Sequence, residues 1–414
     1  MTEKVILVGI RTEGENIEES LRELSELLRT AEAEVVGSVI QNREAMHPGT
    51  YIGKGKIEEL REMIREREAT GIVCDDELSP AQMKNLEEML DTKVMDRTVV
   101  ILDIFATHAH TNEGKLQVEL AQCRYQMTRL AGYGKSMSRL GGGIGTRGPG
   151  ETKLETDRRR IRQRITVLKQ ALRDLESQRS VRRARRERNA VPVAAIVGYT
   201  NAGKSTLLNA LTGSSVLSED KLFATLDPTT RSLTLPEGEN VLLTDTVGFI
   251  HKLPHHLIDA FRSTLEEAKY ADIILHVTDA SDPACAEHMT VVYETLRGLE
   301  VRGKPIITLF NKCDLVPEGQ IFRDLNADRT LRISAKTGEG LSSVLAEIQT
   351  ILRENRVTLN LLIPYKEAGL IHDIREKGQL LTEEYEENGI RISAYVPKAF
   401  YEQLQARIRR KEES

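Results

Sequence analysis

The stretch VPVAAIVGYTNAGKST, residues 191–206, decides the fold of the central part of this 414-residue chain. An apolar, β-branched run of strand length reaches Gly198, passes through a short loop and enters a helical pattern at Gly203. Strand, loop and helix together contain the pattern G-x-x-x-x-G-K-S, which predicts a phosphate-binding loop. The two glycines let consecutive backbone N–H groups approach a phosphate, and the N-terminus of the following helix also favours an anion.

Two side chains of this loop predict how a nucleoside triphosphate is held. Lys204 is placed to reach the β and γ phosphates, and the Ser205 hydroxyl is placed to hold Mg²⁺. The alternative is a chance match in a glycine-rich turn. The nucleotide contacts predicted from the loop are Gly198, Tyr199, Thr200, Asn201, Ala202, Gly203, Lys204, Ser205 and Thr206.

Three further motifs follow in chain order, each at the end of a predicted strand. DTVG, residues 245–248, puts a carboxylate near Mg²⁺ and the Gly248 N–H where a γ-phosphate is sensed. NKCD, residues 311–314, provides Asp314, which accepts hydrogen bonds from the guanine ring N–H and amino group. SAK, residues 334–336, offers a backbone N–H to the guanine oxygen. The order and spacing of the motifs predict a guanine-nucleotide domain. The contacts predicted from them are Asp245, Thr246, Val247, Gly248, Asn311, Lys312, Asp314, Ser334, Ala335 and Lys336.

A candidate switch loop, FATLDPTTR, lies at residues 223–231 between the first two motifs. Such a loop needs a hydroxyl that joins the Mg²⁺ shell only when the γ-phosphate is present. Thr225, Thr229 and Thr230 all satisfy this requirement on chemistry alone. A polar turn built around Pro228 is the alternative.

The composition predicts a multidomain, soluble protein of the cytoplasm. Hydrophobic residues make up 40% of the chain and charged residues 29%. The sequence contains no run of about 18 apolar residues and no segment typical of a signal peptide. Four scattered cysteines fit neither a disulfide framework nor a zinc site.

Alternating strand and helix patterns predict an α/β multidomain fold in four parts. Residues 1–98 form an N-terminal α/β domain, and residues 99–189 form a helical hairpin or coiled coil with a glycine-rich loop and a basic face. Residues 190–355 form a Ras-like P-loop GTPase domain with a mixed, mostly parallel sheet. Residues 356–414 form a small C-terminal α+β domain.

The basic face is concentrated in residues 158–188, which hold thirteen Lys or Arg against three acids. This local net charge of +10, in a chain whose net charge is −5, predicts a polyanionic partner such as RNA. A solvated helical face without a partner is the alternative. The arginines lie largely off an apolar seam with coiled-coil spacing. The predicted RNA contacts are Arg147, Arg158, Arg159, Arg160 and Arg162.

The whole chain resembles the HflX family of ribosome-associated GTPases, within the group that includes the Obg proteins. The blocks outside the nucleotide motifs are the more diagnostic, because generic small GTPases lack them. The matching segments are YIGKGK (51–56), DDELSPAQMKNLE (75–87), VMDRTVVILDIFATHAHTNEGKLQVELAQ (94–122), GGIGTRGPGETKLETDRRRI (142–161), GYTNAGKS, FATLDPTTR, DTVGFI and NKCD.

The resemblance implies a GTPase that hydrolyses GTP to GDP on the large (50S) ribosomal subunit, and that splits or rescues stalled ribosomes. It makes Thr225 the threonine that serves Mg²⁺, so that Lys204, Thr225 and Gly248 act in hydrolysis. It also implies a monomer whose partners are GTP, GDP and ribosomal RNA rather than DNA or membrane. The switch-loop contacts that it adds are Phe223, Ala224, Thr225, Leu226 and Asp227.

Three further hypotheses follow from single positions. Phe249 stands where Ras-type proteins place a water-orienting Gln, so we expect slow hydrolysis without the ribosome. Asn201 resembles the phosphate-loop Asn of potassium-stimulated GTPases, which suggests K⁺ stimulation, although it can also simply stabilise the turn. An alternative function is a GTPase switch in ribosome assembly or RNA remodelling, in which GTYIGKGK at residues 49–56 forms an additional ATP site. The other interpretation of this segment is a structural or RNA-contacting turn.

Overall fold

The computed structural model of the chain describes most of its length. The described residues are 3–14, 16–137, 149–188, 191–213, 222–223, 228–252, 265, 267–317, 319–354, 356–367, 369–397, 400–401 and 404. Within these ranges, no helix combines the length and the apolar character that crossing a membrane requires.

The N-terminal part of the chain alternates strands and helices. Its elements are β1 (Lys4–Arg11), α1 (Ile17–Thr30), β2 (Glu34–Asn42), α2 (Lys54–Arg67), β3 (Gly71–Cys74), α3 (Pro80–Leu90) and β4 (Lys93–Asp96). The four strands form a parallel sheet, the N-terminal sheet, in the order β2-β1-β3-β4. In β1, Val5 and Leu7 enter one core while Ile6 and Val8 enter another. Burial on both faces explains why this strand is an uninterrupted apolar run.

Local sequence signals fix several helix starts. Pro80 opens α3, and Ser79 caps it through a capping box in which Ser79 Oγ accepts from the Gln82 N–H at 3.2 Å. In turn, Gln82 Oε1 accepts from the Ser79 N–H at 2.8 Å. Asp96 caps the next helix by accepting from the Val99 N–H at 3.1 Å. These side chains satisfy amides that have no partner within the helix.

A helical hairpin follows the N-terminal sheet. Its elements are α4 (Arg97–His108), α5 (Asn112–Met137) and α6 (Pro149–Arg188). Helices α5 and α6 are antiparallel, since Glu113 pairs with Arg179 at 2.8 Å while Arg158 donates to the Leu130 carbonyl at 2.8 Å. The predicted apolar seam is confirmed: the packed residues are Leu116, Leu120, Cys123, Ile161, Ile165, Leu168 and Leu172.

The central part contains a sheet of six strands. Its elements are β5 (Val193–Gly198), α7 (Lys204–Thr212), β6 (Thr229–Thr234), β7 (Asn240–Asp245), β8 (Ile273–Asp279), α8 (Cys285–Gly298), β9 (Ile306–Asn311), β10 (Arg329–Arg332) and α9 (Leu341–Glu354). The strand order of this central sheet is β10-β9-β8-β5-β7-β6. Only the edge pair β6–β7 is antiparallel among its pairings. The carboxyl ends of β5, β7, β8 and β9 therefore meet at one edge, where the predicted motifs lie.

The C-terminal part is a small sheet with one described helix. Its elements are β11 (Arg356–Ile363), α10 (Gly369–Lys377), β12 (Gln379–Glu386) and β13 (Gly389–Pro397). The strands are antiparallel in the order β11-β13-β12, and the turn at Asn388 and Gly389 joins the last two. The predicted fold class is confirmed, and the boundaries at residues 98, 189 and 355 stay predictions.

One hydrophobic core crosses from the N-terminal sheet to the central sheet. It contains Leu7 and Phe105 from the N-terminal side and Val197, Phe223 and Phe249 from the central side. The rings of Phe105 and Phe223 meet edge to face with centroids 4.6 Å apart. The N-terminal domain thus packs against the phosphate loop and the segment after β7, and not only against the hairpin.

Candidate functional site

The phosphate loop joins β5 to α7, and its glycines are required by close packing. An added Cβ at Gly198 would lie 2.1 Å from the Val277 carbonyl oxygen. Gly203 has a φ of +94°, and a Cβ there would lie 2.3 Å from Asn311 Nδ2. A side chain at either position would displace the neighbouring strand ends, so the loop keeps its shape only with glycine.

Lys204 lies inside the loop. Its side chain is buried, and Nζ donates to the Tyr199 carbonyl oxygen at 2.7 Å. Burial lowers the pKa of Lys204 to about 8, although the nearby Asp245 carboxylate acts in the opposite direction. A phosphate group that enters the loop supplies the negative charge that a buried ammonium needs.

Ser205 and Asp245 form the oxygen-rich corner of the site. The Ser205 hydroxyl at the start of α7 donates to Asp245 Oδ2 at the end of β7, at 2.7 Å. Hydroxyl and carboxylate oxygens are the ligands that Mg²⁺ prefers, and it usually keeps several waters as well. The pair therefore fits a magnesium ion that is held partly by the protein and partly by phosphate and water.

The DTVG segment lies directly on the phosphate loop. The Thr200 N–H donates to the Phe249 carbonyl at 2.8 Å, and the Phe249 N–H donates to the Gly198 carbonyl at 3.1 Å. An added Cβ at Gly248 would lie only 2.8 Å from Lys204 Nζ. The two motifs that were predicted to face the phosphates are thus in contact.

Asn311 ties the base-recognition motifs to the phosphate loop. Its Nδ2 donates to the Ala202 carbonyl at 2.8 Å, and its Oδ1 accepts from the Ala335 N–H at 2.9 Å. Asp314 and Lys336 are exposed beside it. One buried side chain therefore fixes the relative positions of NKCD, SAK and the phosphate loop.

Several other predicted contact residues have structural partners of their own. Lys312 Nζ pairs with Asp279 at 2.7 Å. Ser334 is buried, and its Oγ accepts from the Thr337 N–H at 3.2 Å. The Thr246 hydroxyl donates to the Ile196 carbonyl at 2.8 Å. These bonds hold the strand ends that carry the motifs.

The switch loop is only partly described. Phe223 is buried against Phe105, so its ring belongs to the shared core. Thr229 and Thr230 lie in β6, where the Thr230 hydroxyl is 3.0 Å from that of Thr244. The predicted site residues Ala224, Thr225, Leu226 and Asp227, and also Arg147, lie outside the described residues.

Tyr199 has a role that the sequence did not indicate. Its ring stacks on His288 with centroids 3.8 Å apart. Its hydroxyl donates to the Glu23 carboxylate in α1 and accepts from the His251 N–H at 2.8 Å. The side chain thus connects the phosphate loop to the N-terminal domain, and no local sequence pattern indicates this, because the phosphate-loop motif leaves position 199 unspecified.

A cluster of charges joins the two domains beside Tyr199. Lys252 Nζ lies 2.8 Å from Asp75 Oδ2 and 2.7 Å from Asp76 Oδ1. Arg97 Nη1 donates to the His251 carbonyl at 3.1 Å, and Arg97 Nη2 lies 2.8 Å from Asp75 Oδ1. We call Asp75, Asp76, Arg97, His251 and Lys252 the interdomain clamp.

The predicted RNA contacts on α6 differ in their surroundings. Arg158 is half-buried and donates to the Leu130 carbonyl. Arg159, Arg160 and Arg162 are exposed, and Arg160 lies 4.0 Å from Asp157. Three of the four described arginines therefore face solvent and are open to a polyanion.

The YIGKGK segment contributes to the core of the N-terminal domain. Tyr51 and Ile52 are fully buried, and the Tyr51 hydroxyl donates to Asp76 Oδ2 at 2.6 Å. The Gly53 N–H donates to Gln41 Oε1 at 2.8 Å. These contacts give the turn a structural role, and ATP binding there stays a prediction.

Comparisons with known proteins agree with this geometry. Family models described as "GTP-binding GTPase N-terminal", "GTP-binding GTPase Middle Region" and "50S ribosome-binding GTPase" match residues 18–106, 108–186 and 193–312. A GTPase HflX of Lacrimispora saccharolytica is 62% identical over 403 residues, which cover 97% of this chain and 95% of that protein. The GTPase HflX of Escherichia coli is 40% identical over 390 residues, which cover 94% and 92%.

A solved structure of a GTP-binding protein from the archaeon Sulfolobus solfataricus, in complex with GDP, is also similar. It is 24% identical with a TM-score of 0.45, and the match covers 86% of this chain and 99% of that one. The sequence matches extend over nearly the full length of this chain and include all four nucleotide motifs. The chain therefore belongs to the HflX family of GTPases.

Proposed function

We propose that this GTPase binds the large (50S) ribosomal subunit and splits or rescues stalled ribosomes, with GTP as its switch. One observation carries the proposal: residues 193–312, which hold the phosphate loop and DTVG and end inside NKCD, match a 50S ribosome-binding GTPase model, and the same chain carries an exposed arginine row, Arg159, Arg160 and Arg162. Arginines bind RNA phosphates without reading sequence. The proposed state is a monomer in the cytoplasm whose partners are GTP, GDP and the 50S subunit.

In the proposed site, Lys204 neutralises charge on the β and γ phosphates, and the Gly248 N–H senses the γ-phosphate. Ser205 and Thr225 are the proposed Mg²⁺ ligands, with Asp245 holding Ser205. When bound there, Mg²⁺ neutralises charge that develops on the phosphate oxygens. Asp314 selects guanine, and the other predicted residues of the four motifs and the switch loop form the rest of the pocket.

We also propose that hydrolysis is slow without the ribosome. Phe249 follows Gly248 and is only 2% exposed, because it packs into the core shared by the two domains. A buried phenyl ring can neither bind nor orient the attacking water. An RNA or protein group of the ribosome is therefore expected to complete the site, as partner groups do in other GTPases.

K⁺ is the second proposed ion. Asn201 has a φ of +56° and is exposed at the loop surface, so its side chain is open to a cation. We expect faster hydrolysis in KCl than in NaCl at equal ionic strength. Equal rates in the two salts would mean that Asn201 only stabilises the turn.

Ribosome co-sedimentation tests the main proposal. With a non-hydrolysable GTP analogue we expect the protein to sediment with 50S subunits, and with GDP we expect it to be released. With GTP, 70S ribosomes should separate into subunits. Sedimentation that is the same with all three nucleotides, or that is absent, would refute the proposal.

The arginine row is tested by reversing Arg159, Arg160 and Arg162 to Glu. We expect weaker ribosome binding and a salt dependence whose slope falls by roughly one for each phosphate that the variant no longer binds. GTP affinity should not change, because the row lies on α6 and outside the nucleotide site. Reversal of the exposed Arg302 in the central domain is the matched control. Unchanged binding of the triple variant to 50S subunits would contradict this role.

A further inference from the structure

We propose that the interdomain clamp positions the sensing segment, residues 248–252, in which Gly248 is the proposed sensor of the γ-phosphate. In this arrangement the site binds GDP more favourably than GTP. Asp75, Asp76 and Arg97 then act as positioning residues for the nucleotide site, through His251 and Lys252. The inference rests on the proposed role of Gly248 as the residue that senses the γ-phosphate.

The clamp is joined to Gly248 by a short and buried stretch of chain. Lys252 and His251 follow Gly248 by only a few residues, and the intervening Phe249 and Ile250 are buried in the shared core. Lys252 Nζ lies between two carboxylates of the N-terminal domain, at 2.8 and 2.7 Å. A shift of Gly248 is therefore transmitted to Asp75 and Asp76.

The charges of the clamp are strongly held. Asp75 is fully buried and Arg97 is 1% exposed. Burial alone would raise the pKa of Asp75, but Arg97 and Lys252 overcome this effect and lower it. Burial disfavours charged Lys252, yet Asp75 and Asp76 raise its pKa. Separating such groups leaves a buried charge without a partner, which is strongly unfavourable.

The clamped segment lies close to the lysine that is proposed to contact the γ-phosphate. Lys204 Nζ donates to the Tyr199 carbonyl, and a Cβ built on Gly248 would lie 2.8 Å from the same nitrogen. A γ-phosphate that contacts both Lys204 and the Gly248 N–H has to enter between them. We infer that Gly248, and not only the Lys204 side chain, then moves outward, and this movement works against the contacts of His251 and Lys252.

Tyr199 provides a parallel connection from the phosphate loop. Its hydroxyl bonds to Glu23, and Glu23 also pairs with Arg97. The loop and the sensing segment therefore meet the N-terminal domain at one charged cluster. Coupling between two binding equilibria is reciprocal. GTP binding should therefore weaken the domain contact by the same free energy by which the contact weakens GTP binding.

The test is the change Lys252→Ala, with nucleotide affinities measured by fluorescence titration of the full-length protein. We expect the affinity for a non-hydrolysable GTP analogue to rise roughly fivefold or more, with GDP affinity changed by less than about twofold. Lys252→Arg, which keeps the charge, should behave like the wild type. Lys269→Ala is the matched control, because it removes an ion pair between Lys269 and Glu300, two residues of the central domain.

A GTP-to-GDP affinity ratio that stays at the wild-type value in Lys252→Ala would overturn the proposal. Asp76→Asn serves if Lys252→Ala does not fold, because it weakens the same contact from the N-terminal side at a less buried position. It should raise the same ratio, and an unchanged ratio would again count against the clamp. Ribosome binding is not part of these measurements, so a failure of the proposed function would be seen separately in co-sedimentation.

Discussion

The phosphate end and the base end of the nucleotide site differ in what surrounds them. At the base end, Asn311 joins the motifs by two hydrogen bonds within the central domain, and Asp314 is exposed to solvent. At the phosphate end, Tyr199, His251 and Lys252 bond to the N-terminal domain, and Phe249 is buried against it.

This difference suggests that binding of guanine and discrimination between GTP and GDP depend on different parts of the pocket. We expect the base end to recognise guanine independently of the N-terminal domain, because the two hydrogen bonds of Asn311 stay inside the central domain. The phosphate end cannot change shape without changing a domain contact. Affinity for guanine nucleotides and discrimination between GTP and GDP should therefore respond to different substitutions.

The largest expected effect comes from removing the centre of the clamp. Arg97→Ala leaves the buried carboxylates of Asp75 and Glu23 without their main partner, and should cost about 3–5 kcal/mol of the free energy of unfolding. Urea denaturation measures this loss. Arg329→Ala is the control, because it breaks partly exposed pairs with Glu347 and Glu354 and should cost less than about 1 kcal/mol. Similar losses of unfolding free energy in the two variants would contradict the contrast between a phosphate end that is coupled to the N-terminal domain and a base end that is not.

The change Asp314→Asn at the base end should lower the affinities for GTP and GDP by the same factor. Loss of the carboxylate should lower GTP and GDP affinity by about 100-fold each, since hydrogen bonds to a charged group contribute about 1.5–3 kcal/mol. Xanthosine nucleotides should bind better, because an amide N–H can donate to the oxygen that replaces the guanine amino group. Titration with all three nucleotides checks this. A GTP-to-GDP ratio that changes would show that the base end is also coupled to the clamp.

The smallest expected effect is the change with pH in the stability difference between Asp75→Asn and the wild type. The pKa of Asp75 is lowered in the folded protein, so its contribution to stability is present above the unfolded value of about 3.9 and is lost as pH falls through the folded pKa. Asp75→Asn should therefore be less stable than the wild type at pH 6, and the difference should shrink below about pH 4. Urea denaturation across this range measures it. A difference that is constant with pH would show that Asp75 stabilises the contact without its charge.

Much of the fold could be predicted because its signals are local. The apolar runs that form β1, β3 and β5 are buried on both faces, and Ser79 with Pro80 indicates the start of α3. The seam of α5 and α6 followed from apolar spacing alone. The four nucleotide motifs lie at strand ends of one sheet, so their order along the chain was enough to place them together.

The contact between the domains could not be predicted in the same way. Tyr199 occupies a position that the phosphate-loop pattern leaves unspecified, and Arg97 resembles an ordinary charged residue at the start of a helix. Their partners, Glu23 and His251, are far away in the sequence, and no periodic pattern links them. The sequence predicts that Phe249 stands where Ras-type proteins place a glutamine, but only the packing shows that its ring is part of a core.

The length of α6 gives the clamp a mechanical consequence. Arg97 is the first residue of α4, which packs on α5, and α5 in turn carries α6. With 40 residues, α6 is about 60 Å long at 1.5 Å per residue. A rotation of about 10° at the base of such a lever would move its far end by about 10 Å. A displacement of atomic size at the γ-phosphate is then expected to become a much larger movement at the far end of α6.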